Sequence, residues 1–205
     1  MKGGRFFRAL LSVGLIMTSS LARAADAPPT GVATAIFAGG CFWCMESDFE
    51  KVRGVIAVES GYTAGRTPNP TYDQVSRGGT GHTEAVRVTY DPSMVSYRAL
   101  VGYFWRNIDP TVKDRQFCDI GSQYRSGIYW QNETERQVAE ASRQALLDSG
   151  RFPAIHTELA PASTFWLAEE AHQDYYKKNP LRYAYYRSGC GRDVRLAELW
   201  KERAK

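Results

Sequence analysis

Between Thr34 and Gly150 the apolar positions fall into two periods that alternate along the chain. Thr34–Ala38 (TAIFA) is a short apolar run stopped by Gly39-Gly40, which predicts a buried strand entering a tight turn. From Phe42 the period changes: Phe42, Met45, Phe49 and Val52 recur at spacings of three and four until Gly54, the stripe of a helix with a glycine stop. Val55–Ser60 predicts a second strand. The stretch from Gly61 to Gly81 holds seven glycines and prolines, which predicts a loop over most of its length. His82–Tyr90 alternates as a third strand, and Leu100, Val101, Phe104 and Trp105 mark one face of a helix over Ser96–Asn107. Asn132 followed by Glu135 resembles a capping box for a helix ending at Gly150. Past Tyr175, Pro180, Gly189 and Gly191 surround Cys190, and an irregular segment is expected. The alternation predicts an α/β (α+β) two-layer fold: a mixed sheet flanked by helices, with long loops.

The first residues change the accounting of charge. Lys2, Arg5 and Arg8 precede a mostly apolar stretch from Ala9 to Leu21, and Ala22-Arg23-Ala24 supplies small residues before Ala25. This is the pattern of a cleavable export signal over 1–24, cut before Ala25, in a periplasmic or secreted protein. The apolar stretch is shorter than the ~20 residues that cross a bilayer, so no membrane anchor is expected after cleavage. The formal charge of +4 resides in this segment, which has four basic residues and no acid. The remaining chain is formally neutral, which removes the argument for a nucleic-acid partner. Residues 25–33 read as a disordered lead-in and 34–205 as one catalytic domain, with a flexible C-terminal tail carrying Cys190.

In an exported protein four cysteines first suggest structural disulfides. The local pattern GGCFWCME (Gly39–Glu46) competes with that reading. Cys41 lies in the first turn of the predicted helix, where unpaired N–H groups favour thiolate and are expected to lower its pKa. Cys44 lies deeper and is expected to be the less reactive. The pair fits either a thioredoxin-like dithiol or a single nucleophile flanked by Phe42 and Trp43 as an apolar pocket. A zinc site lacks suitably spaced histidines among the three present, so no metal is expected. In the third strand Glu84 shares a face with Val86, Val88 and Tyr90. Burial there would raise its pKa and keep it protonated as a general acid; at the strand's exposed start it would be an ordinary carboxylate. A disulfide-stapled binding module is the non-enzyme alternative.

Five ordered motifs carry a resemblance. GCFW (Gly40–Trp43), GYTAGRTPNPTY (Gly61–Tyr72), GHTEAV (Gly81–Val86), FW followed by DP (Phe104-Trp105, Asp109-Pro110) and GSQYRS (Gly121–Ser126) resemble the A-type peptide methionine sulfoxide reductases. KKNP (Lys177–Pro180) and GCG (Gly189–Gly191) agree. The resemblance implies reduction of the S-epimer of methionine sulfoxide, free or in proteins, with no bound cofactor and an external thioredoxin-like dithiol as reductant. It makes Cys41 the nucleophile and Glu84 the acid, with Tyr72 and Tyr124 hydrogen-bonding the sulfoxide oxygen. Asp119 orders the site, and Phe42 and Trp43 receive the S-methyl group. Cys190 is implied as the resolving thiol, carried to Cys41 by a mobile segment, with Cys44 the second candidate. Cys118, absent from the family pattern, reads as a small buried thiol.

Overall fold

The computed structural model describes residues 31–201 together with Met1. The expected export signal and most of the lead-in lie outside the described residues. Strand β1 (Ala33–Gly39) leads through a two-residue turn into helix α1 (Phe42–Phe49), followed by β2 (Val55–Thr63), α2 (Tyr72–Ser76), β3 (Thr83–Tyr90) and α3 (Tyr97–Arg106). The two-residue strands β4 (Arg115–Gln116) and β5 (Asp119–Ile120) form a separate hairpin. Then come β6 (Ser126–Trp130), α4 (Glu133–Asp148), β7 (Glu158–Pro161) and β8 (Trp166–Leu167). Three helices close the chain: α5 (Tyr175–Lys178), α6 (Pro180–Gly189) and α7 (Arg192–Trp200).

Six strands build one mixed sheet in the order β7-β6-β1-β3-β2-β8. Neighbours run antiparallel except β6 and β7, whose parallel pairing is connected by α4. The expected α/β class holds, and its two layers follow from strand phase. Ala35, Phe37, Val86 and Val88 face Phe49 of α1, Leu100 and Phe104 of α3 and Ala139 of α4 in one core. The Phe37 ring stacks between Phe49 at 5.0 Å and Phe104 at 5.3 Å. On the opposite face Ile36, Ala38, Ala85 and Tyr129 form a smaller cluster, covered by Ala162 and Phe165.

The helix starts follow their caps. Ser96 accepts from the Ala99 N–H at 3.2 Å, and Asn132 from the Glu135 N–H at 2.9 Å. Glu135 does not complete a reciprocal box; its carboxylate accepts from the N–H of Gln131, one residue before the cap, at 2.7 Å.

The 61–81 stretch is a loop over most of its length, as expected, although β2 continues past Ser60 to Thr63, pairing Tyr62 with Glu84. α2 begins at a capping box in which Thr71 and Gln74 each accept from the other's backbone N–H. The C-terminal segment is helical, not irregular. Pro180 opens α6 where a missing N–H costs nothing, and Gly191, at φ 64°, separates α6 from α7. What looked like loop composition is a helix stripe: Arg192 and Leu196 are buried, and Leu199 and Trp200 pack against the main core. Cys190 is the C-cap of α6, held by its N–H to the Tyr186 carbonyl at 2.9 Å.

Candidate active site

The site is assembled around the turn between β1 and α1. Gly40 sits at φ 82°, and a Cβ there would lie 2.5 Å from the Cβ of buried Gln116, so only glycine fits. Gln116 in turn clamps Asp109, donating to its carbonyl at 2.8 Å and accepting from its N–H at 2.9 Å. Cys41 is the N-cap of α1, and its carbonyl accepts from the Cys44 N–H at 3.1 Å. The first free helical donor, the Phe42 N–H, goes to Glu84 Oε2 at 3.0 Å. Glu84 thus lies against the start of α1, only 3% exposed.

Cys41, Phe42, Trp43, Tyr72, Glu84, Asp119 and Tyr124 line one small cavity of about 50 Å³ together with Tyr186. Seven sequence-singled residues, drawn from four separate segments, therefore converge. Burial is the largest influence on Glu84 and pushes its carboxyl up to about 8, against the lowering effect of the Phe42 N–H. At neutral pH it carries a proton. Burial also raises Tyr72, to about 12, and raises Tyr124, so both phenols stay protonated donors.

The cysteines depart from expectation. Burial drives the Cys41 thiol well above its ordinary value, and contact with Cys44 and the Glu84 carboxyl add to this. The predicted lowering by the helix start is overturned, because the first N–H of α1 is engaged by Glu84 and Cys41 is only 5% exposed. Cys44 is lowered instead: the Cys41 thiol donates to its sulfur, and Arg192 and Arg187 lie nearby, outweighing burial. Cys44 is therefore not the less acidic member of the pair.

Cys118 is not a buried thiol. It is exposed and disulfide-bonded to Cys190 across a sequence separation of 72. Cys190 is thus paired with Cys118 rather than poised at Cys41, because the helical C-terminal segment fixes it beside the β4–β5 hairpin. Cys41 and Cys44 are free. Cys118, Asp119 and Cys190 also group as potential metal ligands, but both sulfurs are spent in the disulfide. In a second cluster, of Glu46, Glu50 and Asp174, Lys177 bridges the latter two at 2.7 Å each.

The sequence reading missed an aromatic surround. Trp43 stacks on Tyr175 at 3.7 Å, and its indole N–H donates to His172 Nδ1 at 3.2 Å. His172, lowered by burial and so available as a neutral acceptor, stacks on Tyr72 at 4.2 Å. Glu169 ties the loop down by accepting from the Tyr72 N–H at 2.7 Å and the Tyr62 hydroxyl at 2.8 Å. Tyr186, on α6, donates to Asp119 Oδ2 at 2.6 Å and also touches the Cys41 thiol. Spacing i, i+3 and i, i+4 among Tyr183, Tyr186, Arg187 and Cys190 was the available signal for α6.

Chemically, the arrangement places a buried thiol beside a protonated carboxyl, two phenol donors and an apolar wall. That set suits attack on a small polar group whose oxygen must be protonated as it leaves, beside an apolar substituent.

Comparison with known proteins agrees. Residues 33–204 match the family described as peptide methionine sulfoxide reductase. The chain is 48% identical over 191 residues to peptide methionine sulfoxide reductase MsrA 2 of Caulobacter vibrioides, covering 93% of this chain and 96% of that protein. It is 51% identical over 168 residues to the MsrA of Streptococcus equi subsp. zooepidemicus, covering 82% and 98%. Among solved structures it resembles methionine sulfoxide reductase A of Corynebacterium diphtheriae, at 37% identity, with a TM-score of 0.66 over 74% of this chain and 76% of that one. It also resembles Mxr1 from Saccharomyces cerevisiae in reduced form, at 31% identity and a TM-score of 0.67, covering 73% and 86%.

Proposed function

The chain belongs to the A-type peptide methionine sulfoxide reductases and reduces methionine sulfoxide by cysteine chemistry as a peptide-methionine (S)-S-oxide reductase, and we propose that Cys41 and Glu84 carry out its chemical step. The observation that carries this reading is the fully buried, protonated Glu84 beside Cys41 in a shared cavity. A sulfoxide oxygen is a poor leaving group as an anion. Attack by the Cys41 sulfur therefore needs a proton delivered to that oxygen, and Glu84 is the acid within reach. Tyr72 and Tyr124 orient the oxygen by donating to it, Asp119 is held by Tyr186 to order the wall, and Phe42 and Trp43 receive the methyl group. A simple thioredoxin-like dithiol would leave Glu84 and the two phenols without a task.

Oxygen ends on Cys41 as sulfenic acid while methionine departs. Cys44, already in hydrogen-bond contact with Cys41, condenses with it to a disulfide and releases water. An external thioredoxin-like dithiol then restores both thiols by exchange. Cys190 takes this resolving role only after its bond to Cys118 is opened. Residues 1–24 act as a cleaved export signal, and the substrates are oxidised methionines of exported proteins. Tyr175 and His172 join the binding residues because they hold the Trp43 ring.

The deciding experiment is single-turnover reduction of a peptide S-sulfoxide by Glu84→Gln. A slowing by roughly 10²–10⁴ with substrate still bound is expected for loss of the acid. A rate within twofold of the unaltered enzyme would remove the proton-donor role.

A further inference from the structure

Tyr72 reaches the cavity from the end of a loop, and a loop holds a hydroxyl in place only where something fastens it. The β2–β3 ladder ends at the Thr63–Thr83 pair. Past that point the loop is fastened by a side chain that the proposed chemistry does not use, His82, which is 2% exposed. Its Nδ1 accepts from the Gly65 N–H at 3.2 Å, and its Nε2 donates to the Thr67 carbonyl at 2.7 Å. Gly65 offers a hydrogen and Thr67 only lone pairs, so the partners select the tautomer that carries its hydrogen on Nε2. Between these two bonds the Arg66 N–H donates to the Thr80 carbonyl at 3.0 Å. The fit is close: a Cβ on Gly65 would lie 2.3 Å from His82 Cγ, so only glycine lets the backbone approach the ring this way.

Two features turn this clasp into a link between reacting groups. Only Pro68, Asn69, Pro70 and Thr71 separate Tyr72 from the Thr67 bond, and the two prolines have fixed φ. The Thr71 N–H is in turn locked to Gln74 Oε1 at 3.0 Å, and the Tyr72 N–H to Glu169 at 2.7 Å. Little slack is left between the clasp and the phenol. In the other direction, His82 precedes Glu84 by two residues at the entry to β3. One short stretch of chain thus carries both the acid and the fastening of the phenol, and Glu84 and Tyr72 line the same cavity.

We propose that His82 is a positioning residue that fixes the Tyr72 hydroxyl relative to the Glu84 carboxyl, so that both address the sulfoxide oxygen at once. The inference rests on the proposed roles of Tyr72 and Glu84. Two donors aimed at one oxygen lose their joint effect when one drifts, since a misplacement on the order of 1 Å costs up to ~10²-fold in rate. The loss through His82 is bounded by the contribution of Tyr72 itself.

A double-mutant cycle on the single-turnover reduction of a peptide S-sulfoxide separates positioning from support of the fold. His82→Phe keeps most of the ring volume and removes both hydrogen bonds. It should slow the parent about tenfold at saturating substrate, as Tyr72→Phe should, and slow the Tyr72→Phe enzyme by less than about twofold. His82→Gln keeps a donor for Thr67 and should recover to within about threefold of the parent. Gly65→Ala leaves His82 intact and drives the loop off it; it should reproduce His82→Phe in both backgrounds, and it replaces His82→Phe in the cycle if that variant does not fold. Equal slowing of the parent and of Tyr72→Phe would make His82 a structural residue and overturn the proposal, as would a His82→Phe rate within about twofold of the parent. A Tyr72→Phe rate that close to the parent would instead remove the underlying reading of Tyr72, and the inference with it.

Discussion

Cys41 and Cys44 lie three residues apart with 5% and 2% of their surface exposed, whereas Cys118 and Cys190 come from segments 72 residues apart and meet nearer the surface as a disulfide. The inner pair is surrounded by groups that govern protons: a protonated carboxyl, three phenols and two guanidiniums. The outer pair is surrounded by structure. Cys118 lies in the β4–β5 hairpin beside Asp119, and Cys190 caps the helix that carries Tyr186, so their bond ties together the two elements whose Tyr186–Asp119 hydrogen bond closes one wall of the cavity. On the proposed reading the two sulfur pairs divide the work, the inner one reacting with substrate and the outer one serving as a tether.

The strongest way to break this contrast is to remove a single inner sulfur. Cys41→Ser should lower sulfoxide reduction by more than about 10³-fold, in keeping with the loss of a covalent nucleophile; a chromogenic peptide sulfoxide assay with dithiol in excess would reveal any residual route. Removing the outer bond acts on stability instead. By the chain-entropy relation a 72-residue closed loop is worth about 4 kcal/mol, so the Cys118→Ser, Cys190→Ser double variant should show a correspondingly lower denaturant midpoint. Its single-turnover rate should stay within about threefold. A collapse of that first turnover would assign the outer pair to the chemistry and end the division.

The pH profile sharpens the comparison further. Glu84 is raised to about 8, so its acid form dominates below that pH and is lost above it. The reductive rate should fall about tenfold per pH unit on the alkaline side, and Glu84→Gln should lack that limb. The same sign holds for stability: an acid whose folded pKa is raised disfavours the fold progressively between its unfolded value and about 8. Glu84→Gln should therefore unfold later than the parent at pH 9. Tyr186→Phe is the mildest change, removing one hydrogen bond to Asp119, and should cost about tenfold in rate, or ~1.4 kcal/mol. An unaltered rate would detach Tyr186 from the site.

The parts of this site visible in the sequence are those written in local period. Glu84 was legible because a strand has period two and Val86, Val88 and Tyr90 fix its inward face. The place of Cys41 at a helix start was legible from the glycine pair and the stripe that follows. Its acidity was not, because that depends on how deeply α5 and α6 cover it, and the helices were hidden in an aromatic segment interrupted by Pro180 and Gly189. The proline opens a helix and Gly191 divides two, so residues that usually mark loops here mark helix ends. The Cys118–Cys190 bond could not be read at all, since four cysteines allow three pairings and local pattern favours none. Nothing local in the sequence marks Arg192 as buried, because its partners, Gly39, Asn107 and Asp48, are distant in sequence.

The stack of Trp43 on Tyr175 has a practical side. An indole held 3.7 Å from a phenol ring, hydrogen-bonded to an imidazole and two residues from Cys41, reports optically on what happens beside it. A neighbouring disulfide quenches indole emission far more than a pair of thiols does. The fluorescence of Trp43 should therefore dim when Cys41 and Cys44 are joined and recover when they are reduced, so the enzyme's own light can time each half of its cycle without a label.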